Sequence, residues 1–134
     1  AHLPDDVLFA SEHATVRLDR FGATHGHLLA VLRGHETRIE SLSWERVQAL
    51  HHAAWRSSQA LRNTLDPARI WTAAMGAPEA LPMSFPDCHV HVIPVYEGGE
   101  AARPARVLSW TSGVVVYDDD EARVLVRTLR DALG

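Results

Sequence analysis

Asp87-Cys88-His89-Val90-His91-Val92-Ile93-Pro94 is the stretch that decides the fold. Its apolar residues alternate with ionisable ones, the period of a strand half buried in a sheet. Successive strand side chains point to opposite faces. Asp87, His89 and His91 therefore share one face, and Cys88, Val90 and Val92 the other. Three ionisable groups on one face of an apolar strand read as the floor of an active site. A metal site or an exposed polar sheet face would use the same pattern.

The flanking segments predict the rest of the sheet. Asp6 to Ala10 and Ala14 to Leu18 read as short strands, and His27 to Leu32 as a buried one. Ser43 is a helix N-cap for a long helix to Leu65, with Val47, Leu50, Ala54 and Leu61 near helical spacing. Asp66-Pro67 ends it. Ile70 to Ala74 is strand-like, residues 76–86 are a loop with three prolines, and Pro94 closes the histidine strand. Gly98-Gly99 makes a turn, and the chain from there to Pro104 is exposed. Gly113 to Tyr117 is a further strand. Asp118 and Glu121 form a capping box for a last helix to Leu133. The expected class is α+β, a mostly antiparallel sheet with one long helix and a C-terminal helix, in one domain over residues 1–134.

Composition removes several functions. The chain has 134 residues, 46% hydrophobic and 22% charged, with formal net charge −4. That balance does not suit a general binder of nucleic acid or of anionic membranes. No apolar run approaches the ~20 residues of a membrane span, and the start lacks the regions of a signal peptide. A cytoplasmic home is expected. The single cysteine excludes an intramolecular disulfide and a Cys-rich zinc site. All 13 basic residues other than histidine are arginine. Without lysine there is no Schiff base and no P-loop lysine. Phosphate must be held by arginine, histidine, hydroxyls or backbone N–H groups.

With the residues in view, Asp87-x-His89-x-His91-x-Ile93-Pro94 resembles the signature of the histidine-triad (HIT) superfamily, His-φ-His-φ-His-φ-φ. Upstream, the run from Asp19 through Gly26-His27-Leu28 to His35 is similar to the family's Asp-x-x-Pro-x-x-x-Gly-His-x-Leu-x-x-Pro-x-x-His. The two motifs stand in the family's order with the long helix between them. The resemblance covers residues 7 to about 96 and implies a HIT-like fold and a homodimer. It also implies a nucleoside-phosphate hydrolase or nucleotidyl transferase working through a nucleotidyl-histidine. Neutral imidazole suits that role, as a good nucleophile near pH 7 and a good leaving group afterwards. The nucleophile maps to His89. His91 would donate to the phosphate or leaving group, His27 would sit at the phosphate, and Ser84 would contact phosphate or leaving group. Asp19 would bind the ribose. Phe9 and Leu18 are apolar candidates for the base pocket. No cofactor is implied, and the family's zinc site needs cysteines that this chain lacks.

The chain departs from the pattern at Asp87, where the first triad histidine stands, at Pro82-Met83, and at Gly22 and Leu32 in place of prolines. The family's transferase branch works with two histidines in its motif, so Asp87 stays among the candidate catalytic residues. Its carboxylate can meet His89 directly, or its backbone carbonyl alone can orient the ring. Two other classes compete: a nucleotide-binding module with a decayed triad, and a metal protein using His27, His89 and His91. His25 reads as solvated, Cys88 as packing and Trp44 and Trp55 as structural. His51-His52 cannot share a helix face. Asp118-Asp119-Asp120 favours a helix N-terminus over calcium. Trp110 could reach the site, as the family's C-terminal segment does across a dimer.

Overall fold

The computed structural model describes residues 4–74 and 87–133. Seven strands run in chain order: β1 (Val7–Ala10), β2 (Ala14–Leu18), β3 (Phe21–Gly22), β4 (Leu28–Leu32), β5 (Arg69–Ala73), β6 (His89–Val95) and β7 (Val115–Val116). The helices are α1 (Trp44–Leu65), α2 (Pro104–Val107) and α3 (Asp119–Ala132). The main sheet is antiparallel throughout, in the order β1-β2-β4-β6-β5. The fold is α+β, as expected.

Both long helices cover one face of the sheet. The Ser43 hydroxyl caps α1 by accepting the Arg46 N–H at 3.3 Å, and Asp66 ends it in the left-handed region at φ 46°. The buried stripe of α1, Leu50, Ala53, Ala54, Ser57, Ala60 and Leu61, is mostly small, so the helix lies close to the sheet. Asp118 and Glu121 form the expected capping box of α3. Beneath the helices Ala14, Val16, Leu18, Leu28, Ala30, Leu32, Cys88, Val90 and Val92 make one core. Cys88 thus packs as expected. Arg130 of α3 donates to the Val7 and Leu8 carbonyls of the edge strand β1, which satisfies groups an edge leaves open.

Three expectations need correction. Residues 113–117 contribute only Val115–Val116, paired with Phe21–Gly22 in a separate two-stranded ladder. Strand β6 does not stop at Pro94 but continues to Val95. Its pairing with β4 ends at Val92, so Pro94 lies where β6 is an edge on that side and a missing N–H removes no ladder bond. The described residues from Gly98 to Pro104 are exposed as expected, apart from half-buried Ala102; beyond them Val107 and Leu108 pack with Ala102 on Ile93, Val95 and Trp71. Trp44 and Trp55 are not core residues: they are 71% and 58% exposed on α1. The loop expected at 76–86, with Pro82, Met83 and Ser84, lies outside the described residues.

Candidate active site

The register assembles the site on the sheet face turned away from the helices. Along one row Arg17 stands opposite Leu29, and Leu29 opposite His91. In the next row Thr15 stands opposite Val31, and Val31 opposite His89. Just before β4 and just after β2, the Asp19 N–H donates to the His27 carbonyl at 2.9 Å, which sets these two side by side. Residues far apart in sequence therefore meet because alternate residues of three neighbouring strands share a face.

Gly26 and Gly22 let His27 into this position. Gly26 has φ +87°, and a Cβ there would lie 2.7 Å from a Leu65 methyl. Its N–H donates to the Tyr117 hydroxyl at 2.8 Å. A Cβ on Gly22 would lie 2.9 Å from that of His27. His27 itself is fully buried.

Hydrogen bonds set the protons on all three rings. The Ala23 N–H donates to His27 Nδ1 at 2.9 Å, so that nitrogen carries no proton and a neutral His27 is protonated on Nε2. His27 Nε2 lies 2.9 Å from His91 Nδ1 and donates to it. A neutral His91 therefore holds its proton on Nε2. His89 Nδ1 donates to the Asp87 carbonyl at 2.8 Å, which leaves the lone pair of a neutral His89 on Nε2. The His89 and His91 rings meet edge to face, centroids 4.9 Å apart. His27 and His91 are each held down to about 4, mainly by burial and then by neighbouring imidazoles. The bonds agree with this, because a proton on His27 Nδ1 or His91 Nδ1 would face a donor.

Asp19 is at the edge of this cluster. One carboxylate oxygen accepts the Phe21 N–H at 3.0 Å, and the other is 3.8 Å from His27 Nε2. Potential ligand atoms of Asp19, His27 and His91 all lie within 4.8 Å of one another. This is the set among the described residues that could hold a cation, and it differs from the expected His27, His89 and His91. The proton shared by His27 and His91 occupies the place that a cation would take.

His89, His91, His27 and Asp19 are thus brought together, and Asp87 meets His89 through its backbone. Ser84 lies outside the described residues. His25 and His35 are exposed. Phe9 and Leu18 do not face the site: Leu18 is in the helix-side core, and Arg56 of α1 covers the Phe9 ring, 5.1 Å from its centroid. The open-face neighbours are instead Thr15, Arg17, Leu29 and Val31. Trp110 reaches the histidines within the same chain. Its ring lies 5.6 Å from His27 and 5.7 Å from His91, and its Nε1–H donates to the Phe21 carbonyl at 2.9 Å. Its backbone sits at φ +59°, uncommon for a residue other than glycine. Nothing in the local sequence signals that conformation.

A five-stranded antiparallel sheet with helices on one face and paired histidines on the other defines a HIT-like α+β fold. The HIT domain family matches residues 1–98, and the chain belongs to it. Solved HIT structures share the fold at low identity. A HIT-like protein involved in cell-cycle regulation from Bartonella henselae is 15% identical, with TM-score 0.76, over 97% of this chain and 88% of that one. A zinc-bound histidine triad family protein from Mycobacterium smegmatis is 21% identical, with TM-score 0.73, over 98% and 85%. A diadenosine triphosphate hydrolase from Plasmodium falciparum is 13% identical, with TM-score 0.68, over 97% and 80%. A search of curated proteins gives no match.

Proposed function

We propose that this HIT protein is a nucleoside-phosphate hydrolase or nucleotidyl transferase acting at the α-phosphate through a nucleotidyl-His89 intermediate. The observation that carries this reading is the hydrogen bond from His89 Nδ1 to the Asp87 carbonyl, which directs the Nε2 lone pair as a nucleophile. His89 Nε2 attacks the α-phosphorus. A P–N bond forms, and the bond to the leaving group breaks with its electron pair going to the leaving oxygen. The positive charge developing on the imidazole is spread to Nδ1–H, where the Asp87 carbonyl accepts. His91 offers Nε2–H to a phosphoryl or leaving oxygen, and His27 holds it in that tautomer. Water or another acceptor then bonds to phosphorus. The P–N electron pair returns to His89, and the acceptor's proton passes to solvent.

In the same reading Ser84 contacts the phosphate or leaving group, and the Asp19 carboxylate accepts from the ribose hydroxyls. The hydrolase of the same fold acts on a dinucleoside triphosphate, which supports that substrate class. One domain over residues 1–134, acting in the cytoplasm as a homodimer, completes the proposal. Support for the dimer is exposed Trp55 on α1 beside β5, an outer strand of the sheet. Among the described residues no helix is long and apolar enough to cross a membrane.

The test is incubation with radiolabelled dinucleoside polyphosphate and nucleoside phosphoramidate, followed by an alkaline denaturing quench that preserves the acid-labile P–N bond. Turnover together with label trapped on His89 is expected. Nucleotide binding with neither turnover nor label would make the protein a binding module. Light scattering reports the dimer.

A further inference from the structure

The open face next to the histidines has an apolar floor and a polar rim. Leu29 and Val31 of β4 form the floor, with His91 and His89 on one side of them and Arg17 and Thr15 on the other. Val31 is buried, and Leu29, Thr15 and Arg17 are half-buried. No hydrogen bond or ion pair joins the Arg17 side chain to another described residue. A half-buried guanidinium without a protein partner keeps its donors open to water or to a ligand. Strand spacing puts its Cα roughly 10 Å from that of His91, across Leu29.

A phosphate held between His89 and His91 leaves the Leu29–Val31 surface and the β2 rim for the rest of the nucleotide. A nucleobase has apolar faces and a polar edge, which matches that floor and rim. A second phosphate would gain from Arg17 but not from Leu29 and Val31. The edge chemistry is then selective. Arginine carries five N–H donors in a planar fork and no acceptor. Guanine presents two adjacent acceptors, O6 and N7, to such a fork, whereas adenine places an N6 donor beside N7. Taking the nucleotide reading above as its basis, we infer that Arg17 is a specificity-determining residue that selects guanine nucleotides, with the base lying on Leu29 and Val31.

Calorimetric titration of the full chain with GMP, AMP and ribose 5-phosphate tests this. GMP is expected to bind about tenfold more tightly than AMP, the size of one good bidentate contact. Arg17→Met should bring the two nucleotides level and leave ribose 5-phosphate unchanged. Arg17→Lys keeps the charge without the fork and should also lose the preference, which guards against a folding defect in one variant. Equal binding of GMP and AMP by the unmodified protein overturns the inference and leaves the nucleotide reading standing. Equal weakening of all three ligands by Arg17→Met makes Arg17 a phosphate contact and also overturns it. Absence of binding by all three overturns the nucleotide reading as well.

Discussion

Strand β6 has two faces that obey different rules. On the helix side Cys88, Val90 and Val92 pack with α1 and with β4 in a dry core. On the other side His89 and His91 are almost as buried, at 7% and 8% exposure, yet their ring nitrogens have hydrogen-bond partners. There the packing rule is replaced by hydrogen bonding, with a donor or acceptor fixed at Nδ1 of each ring. The comparison teaches that burial can serve two ends on one strand. On the core face it stabilises the fold, and on the site face it holds His91 and its neighbour His27 neutral and in one tautomer.

The sharpest way to break this comparison is to change one residue on each face. His89→Ala should lower turnover at least ~10³-fold, since covalent catalysis is lost, while nucleotide binding and unfolding midpoint change little. Steady-state kinetics with calorimetric binding would check it. Near-normal turnover would remove His89 from the role of nucleophile. Leu28→Ala, on the core face and fully buried, should cost about 2–5 kcal/mol of stability by denaturant titration. Any protein that still folds should keep its chemistry.

A smaller effect concerns pH. His27 and His91 are held down to about 4 from an ordinary 6.5, so the unfolded chain binds more protons than the folded one between these values. Their contribution to stability is complete above pH 6.5 and is lost as pH falls toward 4. At pH 5 the loss is up to about 2 kcal/mol for each histidine. Trp110 shields both rings, so Trp110→Ala should raise both imidazole values and flatten this part of the pH–stability curve. Imidazole titration by NMR reads it directly. Unchanged values would show that burial by the sheet alone sets them.

The smallest effect is expected at Asp87. His89 is met by the backbone carbonyl, which any residue supplies, so Asp87→Asn should leave the acid limb of the kcat/KM profile unmoved. A shift of that limb to lower pH would reveal direct coupling through the carboxylate, which stabilises the imidazolium form.

The alternating pattern of residues 87–94 was enough to separate core face from site face, because strand periodicity is a local property of the backbone. Helix ends were equally legible, since the Ser43 and Asp118 caps act within three residues. The motif around Gly26-His27 located Asp19 and His27, the motif over residues 87–94 located His89 and His91, and the sheet gathers all four. Phe9 and Leu18 were misjudged because their polarity says nothing about which face they occupy. A β-bulge between Val7 and Phe9 breaks the alternation on β1, and Leu18 falls on the core side of β2 by register with Leu28.

By itself, then, the sequence determined the strand and helix segments, the paired histidines and the family, because each rests on local periodicity, capping or motif spacing. The tertiary structure alone decided that Arg17 shares a row with His91 and that Trp110 closes over the imidazoles. It also decided, through the contact with His27, which nitrogen of His91 holds its proton. Those depend on strand register, on a backbone turn near residue 110 and on hydrogen bonds between residues 64 and more positions apart, and none of these is encoded in a short window of sequence.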